Sequence, residues 1–243
     1  MIPGVRKITV PTFPKLTSWS YSRWETYEQC PLRVRYKYID KIPDPPGPAL
    51  ERGTKIHTII EDYLTGKTTK VPEEIEKLAD YYRQLKANKP LVEREIAFTS
   101  KWVETDWFAA DTWCRIKIDA LFVFKNKPKT SKITDHKTGG VDKRTGKLKN
   151  DIAHYMAQLE LYALATLIIM PKIESVETEL AFVDAGETIS SPKVFTRDDL
   201  RDLIMKWEDR IQPMLNDTIY SARPGWYCGW CNYSKKNGGQ CQW

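Results

Sequence analysis

An α/β sandwich built around one mixed β-sheet is the fold this 243-residue sequence predicts, on three observations. Helical patterns and short β-rich runs follow in the order helices, a meander of strands, one helix, more strands and a last helix. The length is enough to bury one sizeable core, and no internal repeat divides it. Hydrophobic residues make up 41% and charged residues 29%, the balance of a soluble globular chain.

Each element has a local reason. Ser22-Arg-Trp-Glu25 has capping-box spacing, so a short helix carries Trp24 and Tyr27 up to Cys30, where Pro31 disrupts it. "DPPGP", residues 44–48, is a rigid turn. It leads into a helix over about 49–64, stopped near Gly66, and then a more polar helix over about 72–87. Four strand-like stretches follow: "LVEREIAF", "DWFAADTWC", "IKIDALFVF" and "SKITDHKTG". Asn126 and Pro128 mark a hairpin turn between the last two. "DIAHYMAQLELYALATLIIM" reads as a buried helix. A strand pair over about 176–184 and 188–195 precedes an amphipathic helix that starts at Thr196 or Asp198 and ends near Asp217.

Charge and cysteine usage narrow the class. The opening "MIPGVRKITVPTFP" lacks the apolar core of a signal peptide, and the longest apolar run, residues 161–170, is too short to span a bilayer. No membrane partner is expected, and a reducing cytoplasmic compartment is. There, clustered cysteines more often hold metal than form disulfides. Net charge is +6, which permits a polyanionic partner. Lys125, Lys127, Lys129, Lys132, Lys137, Lys143, Arg144, Lys147 and Lys149 crowd one segment, as a solvated loop or a nucleic-acid surface would.

Asp119 lies in "IKIDALFVF", a run apolar enough to be buried, where an unpaired carboxylate is costly and should meet a cation. Sixteen residues on, "ITDHKTGG" puts Asp135 and Lys137 on one face of the neighbouring strand, because side chains alternate with period two. Two neighbouring carboxylates repel, and a divalent metal resolves that repulsion. A lysine beside them can orient a metal-bound water and contact a phosphate.

With these residues assembled, the chain resembles the PD-(D/E)xK nuclease superfamily, in its RecB-like branch with the CRISPR-associated and AddB-type iron–sulfur exonucleases. Four parts carry the resemblance. "RGTKIHTIIEDYL" is similar to the family's Gly-x-x-x-His helix, with Gly53 and His57 one turn apart. Asp119 resembles the metal-binding aspartate, "TDHKTGG" the Asp-x-Lys-Thr-Gly motif, and "QLELY" the Gln-x-x-x-Tyr motif with Gln158 and Tyr162. The last pair, at i and i+4, shares a helix face. Alone, His57 or Tyr162 would read as an ordinary helix residue; the ordered set outweighs that reading.

The resemblance implies a restriction-endonuclease-like core over about 49–218, with a central mixed β-sheet flanked by helices. It also implies a metal-cluster module from about 18–40 and 224–243 that joins the N- and C-terminal segments, all within one nuclease domain of residues 1–243. "YEQCPLRVRYKYI" and "RPGWYCGWCNY…C" are similar to the family's cysteine segments. They imply that Cys30, Cys228, Cys231 and Cys241 ligate a 4Fe–4S cluster. Four thiolates with a Cys-x-x-Cys knuckle suit structural Zn²⁺ on chemistry alone, and that alternative stays open. Cys114 reads as a buried small hydrophobe.

The implied function is metal-dependent DNA hydrolysis, with cleavage of single strands or DNA ends, in recombination, repair or replication alongside protein partners of those processes. His57, Asp119, Asp135, the His136 carbonyl and, on the preceding strand, Glu93 would bind Mg²⁺ or Mn²⁺. Lys137 would position water or steady the phosphate charge, oriented by Gln158 and Tyr162. Arg33, Arg35, Lys37, Lys143, Arg144 and Lys147 would track the DNA backbone, and Tyr36, Tyr38 or nearby tryptophans would stack on unpaired bases. A non-catalytic nucleic-acid-binding subunit and a zinc-stapled protein-interaction domain are the alternatives. No Gly-x-x-x-x-Gly-Lys-Ser/Thr loop occurs, so a stand-alone nuclease without a helicase is expected.

Overall fold

In the computed structural model, residues 11–142, 144–145, 148 and 153–243 are described. In chain order the elements begin with β1 (Trp19–Ser20), α1 (Tyr21–Gln29), α2 (Pro31–Val34), α3 (Pro48–Thr65) and α4 (Ala79–Ala87). Strands β2 (Leu91–Phe98), β3 (Glu104–Thr105), β4 (Cys114–Phe124) and β5 (Lys127–Lys137) follow, then α5 (Ala153–Ile169). Strands β6 (Ser175–Phe182), β7 (Glu187–Ser190) and β8 (Phe195–Thr196) lead to α6 (Leu200–Asn216). Two units emerge, Pro46–Glu208 and the pairing of Met1–Pro45 with Asp209–Trp243.

The Pro46–Glu208 unit is organised by a sheet of order β3-β2-β4-β5-β6-β7, with β8 also paired to β6. Every pair is antiparallel except β5 with β6, so the sheet is mixed. A parallel pair needs a crossover, and α5 supplies it. Helices α3 and α4 pack Ile56, Ile60, Tyr82 and Leu85 against Ala120, Phe122, Ala181 and Val183. Leu159 of α5 packs against Leu180 and Phe182, whose side chains alternate to the other face. β4 is the buried centre of this layer, with Ile116, Ile118, Ala120 and Leu121 excluded from solvent.

Three local expectations are corrected. "DWFAADTWC" contributes only its last residue to a strand. Ala109 N–H donates to Asp106 O, Thr112 N–H to Ala109 O and Thr112 Oγ1–H again to Asp106 O, so the segment is a chain of turns. The α1 N-cap is Ser20, whose side chain accepts from Arg23 N–H, two residues before the expected Ser22. The polar helix splits into a 3₁₀ segment, Glu73–Leu78, and α4. At the last helix, Thr196 caps through a reciprocal capping box with Asp199.

In the other unit the two chain segments are tied by side chains. Tyr27 donates to Asp217 Oδ2 at 2.9 Å, Tyr220 to Pro14 O at 2.9 Å, and Tyr233 to Ile42 O at 3.0 Å. Cys30 ends α1 as its C-cap, and Pro31 opens α2 directly after it. Among the described residues no helix is long and apolar enough to cross a membrane.

Candidate active site

The sheet register lines up three carboxylates. Val92 pairs with Ala120 and Arg94 with Ile118, which sets Glu93 opposite Asp119; Ala120 pairs with Thr134, which sets Asp119 opposite Asp135. Glu93 drops out of the ladder with φ at +51°, a left-handed conformation that costs a non-glycine residue free energy and marks a site where the side chain is aimed. His57 arrives from α3. Gly53, one turn earlier, sits where that helix comes close: a Cβ there would lie a tight 3.3 Å from Thr138 Oγ1, just past β5.

His57 Nδ1 stands 3.5 Å from Glu93 Oε1 and 3.6 Å from Asp119 Oδ1. Its Nε2 lies 3.1 Å from the His136 carbonyl. With Nε2–H donating there, Nδ1 faces the two carboxylates, and giving up its proton to a bound cation would leave the usual outer-shell arrangement of a metal-ligating histidine. One ligand atom each from His57, Glu93 and Asp119 fall within 4.8 Å of one another. Asp119 Oδ2 accepts from His136 N–H at 2.8 Å, and Lys117 Nζ lies 2.6 Å from Glu93 Oε2.

The charges in this cluster strain against burial. Burial first, and the Asp135 charge second, push the Asp119 carboxyl up to about 7, against the pull of His57. Burial opposes charge on His57, yet its contact with Glu93 and the Asp119 charge outweigh that and raise it to about 9. Burial likewise opposes Glu93, but His57 and Lys117 hold it down at about 2. His136 goes the other way: burial, with His57 beside it, drops its ring to about 3, so it is neutral. Acids crowded in this way are what a divalent cation relieves.

Lys137 connects this row to α5. Its Nζ is 2.6 Å from Asp135 Oδ2 and donates to Gln158 Oε1 at 2.8 Å; Gln158 Nε2 donates to Tyr162 Oη at 2.6 Å. Burial works against its charge, but Asp135 and Asp119 more than compensate, and its pKa is raised. The result is an ammonium fixed beside the carboxylates, with the Tyr155 ring centroid 4.8 Å from Nζ.

The family model of the PD-(D/E)XK nuclease superfamily matches residues 18–120 and 115–235. The chain belongs to that superfamily. No curated protein matches it. Among solved structures, the crystal structure of SSO0001 is similar at 18% identity and a TM-score of 0.42, over 91% of this chain and 86% of that one. A protein provisionally named an exonuclease, from Eubacterium rectale, is similar at 14% identity and a TM-score of 0.44, over 91% of this chain and 88% of that one. Likenesses this distant bear on neither site nor substrate. Superfamily membership supports a nuclease, and hence a nucleic-acid substrate.

The superfamily's lysine and acids thus meet in one place; the residues expected to track nucleic acid have their own local surroundings. Arg33 and Lys37 both pair with Asp44, at 3.7 and 2.8 Å, and Arg35 pairs with Asp40 at 2.9 Å, so each is partly neutralised locally. Tyr36 is buried edge-on to Tyr233, and Arg23 lies over the Tyr38 ring. Arg144 is exposed, and its backbone N–H donates to Asp142 Oδ1 at 2.8 Å; Lys143 and Lys147 lie outside the described residues. Two residues that sequence reasoning missed support the nuclease centre. Lys117 shares a face with Asp119 at i−2, a signal that was available. Tyr82, on α4, reaches His136 Nδ1 at 3.3 Å through a tertiary approach that left no mark in the local sequence.

All five cysteines are free thiols. Cys30, Cys228, Cys231 and Cys241 line one pocket with Tyr36, Tyr227 and Tyr233. Arg223 N–H points at Cys30 Sγ at 3.5 Å and Gly225 N–H at Cys228 Sγ at 3.4 Å. Four thiols, apolar walls and backbone donors to sulfur fit a thiolate-ligated cluster. Cys114 is fully buried in β4, and burial pushes its thiol up.

Proposed function

We propose that this protein is a divalent-metal-dependent deoxyribonuclease that hydrolyses phosphodiester bonds from DNA ends, with single strands accepted, and that residues 1–243 act as one nuclease. The row of Glu93, Asp119 and Asp135 beside Lys137 carries this reading, because those acids repel unless a cation sits among them. His57 Nδ1, Glu93, Asp119 and Asp135, with the His136 carbonyl beside them, would hold Mg²⁺ or Mn²⁺. When bound, the ion supplies charge neutralisation at the phosphate and a more acidic water. Lys137 Nζ presents a fixed proton donor to that water or phosphate, and Gln158 and Tyr162 keep it aimed. A nitrogen donor among oxygens favours Mn²⁺ over Mg²⁺.

Cys30, Cys228, Cys231 and Cys241 would hold a 4Fe–4S cluster in a reducing cytoplasm, serving recombination, repair or replication. The likeness of the cysteine segments to the iron–sulfur branch supports iron–sulfur; four thiols with a Cys-x-x-Cys knuckle suit structural Zn²⁺ equally well on chemistry alone. End-labelled single- and double-stranded DNA, and matching RNA, incubated with Mn²⁺, Mg²⁺ or chelator, test the activity. Products trimmed progressively from DNA termini only with metal are expected. Absence of metal-dependent cleavage from every substrate would sink the reading.

A further inference from the structure

The chain has nine tryptophans, and the three that are exposed all fall in its last eighteen residues: Trp226 at 77%, Trp230 at 71% and Trp243 at 51%. Ring faces this large seldom stand in water without an occupant. Trp226 and Trp230 sit one turn apart in the 3₁₀ turn Trp226–Trp230, with ring centroids 5.1 Å apart and planes at 76°. Tyr227 also packs edge-on to Trp226, at 5.9 Å and 68°, yet both tryptophans remain mostly exposed.

Cations border this pair. Residues 218–243 contain Arg223, Lys235 and Lys236 and no Asp or Glu. Asn237 Nδ2 donates to Gly229 O at 3.2 Å and Cys231 O at 3.0 Å, the residues on either side of Trp230. The turn Lys235–Asn237 is thereby pinned against the tryptophan turn, with both lysines exposed. The carboxylate nearby in this unit, Asp44, is already engaged by Lys37 and Asn232. Exposed aromatic faces beside unopposed cations match the two demands of a nucleic-acid single strand, bases to stack and phosphates to neutralise. A protein partner would want the apolar faces but has no general need of that charge.

We infer that the Trp226–Trp230 pair, flanked by Lys235 and Lys236, is a docking surface on which the unpaired bases of single-stranded DNA stack. The choice of nucleic acid as occupant rests on the nuclease reading; the surface itself does not.

The test uses the full chain with its cysteine module loaded, in an Asp135→Asn parent so that the probe survives. Fluorescein-labelled dT20 and a 20-mer of abasic sites are titrated by anisotropy against the parent and against the parent carrying Trp226→Ala and Trp230→Ala. Stacking is worth enough that dT20 should bind roughly 5- to 100-fold more weakly to the double variant, while abasic binding changes little. Trp226→Phe with Trp230→Phe should recover part of the loss. Unchanged dT20 affinity in a double variant with native circular dichroism and cluster absorbance overturns the proposal. Equal loss for dT20 and the abasic strand overturns it too, since only charge or fold would then be at stake. A drop in sedimentation mass on substitution, with dT20 affinity unchanged, overturns it in favour of a second copy of the chain. Failure of the nuclease reading shows separately, as a wild-type protein that cuts nothing in Mn²⁺.

Discussion

Asp119 reaches its site from the middle of an eleven-residue strand flanked in the sheet by β2 and β5, whereas Cys30 reaches its site from the C-cap that follows a nine-residue helix. The acids of the nuclease centre are placed by sheet register, and their polar contacts are already closed by Lys117, His136 N–H and Lys137. The thiols come from a helix end and from turns, and backbone N–H groups face their sulfurs: Arg223 at Cys30, Gly225 at Cys228, and Tyr233 and Ser234 at Cys231. The fold holds the first site in shape against its own repulsion. In the second, the proposed cluster would do much of the holding, so that its binding energy would become folding energy. Damage to the two sites should therefore read out differently, as lost activity in one and lost stability in the other.

The sharpest separation is at the acids. Asp119→Ala, Asp135→Ala or Lys137→Ala should each lower cleavage by on the order of 10³-fold or more, because each removes charge that acts on the reacting phosphate. Thermal unfolding of Asp119→Ala should stay near wild type, since its carboxyl is pushed up to about 7 by burial and Asp135 and is no stabilising charge in the metal-free fold. A well-folded Asp135→Ala protein that still cuts at near wild-type rate would break the comparison on its catalytic side.

Next in size, Cys30→Ser, Cys228→Ser, Cys231→Ser and Cys241→Ser should each bleach a brown protein near roughly 400 nm, the colour expected of thiolate iron–sulfur clusters. Each should lower the melting temperature by roughly 5–10 °C, as a loss of a few kcal/mol does in a chain this long. Cys114→Ser should keep the colour. Colour surviving Cys30→Ser would show that the two chain segments do not share one centre; a colourless protein with one zinc would replace the cluster but leave the comparison standing.

Smaller still, His57→Ala should weaken Mn²⁺ activation by about 10- to 100-fold, partly recovered at high Mn²⁺. An unchanged metal titration would return His57 to a packing role. Tyr82→Phe removes only the hydroxyl at His136 Nδ1, so a several-fold rise in the Mn²⁺ needed for half-maximal rate, with melting near wild type, is expected.

Much of the sheet could be read in advance because period-two alternation is strict. It put Asp135 and Lys137 on one face, and the structure has Lys137 Nζ 2.6 Å from Asp135. The mixed sheet with helices on both faces followed from element order. "DWFAADTWC" misled because its aromatic residues look strand-like, yet Phe108 is 88% exposed and the backbone spends its donors on turns. Glu93 could be suspected from its strand, but its left-handed backbone, which aims it at His57, leaves no sequence signature. Tyr82 and the pairing of Lys37 with Asp44 depend on how distant or looped segments close, which no local pattern carries.

The claim that the sheet register builds one divalent-metal site is tested most directly by Mn²⁺ binding followed by electron paramagnetic resonance, with wild type beside Asp119→Asn. One tight Mn²⁺ site in the wild type, weakened at least about 10-fold in Asp119→Asn, is the expected result. Equal affinity in the two proteins would contradict it, because the carboxylate at the centre of the row would then hold no metal.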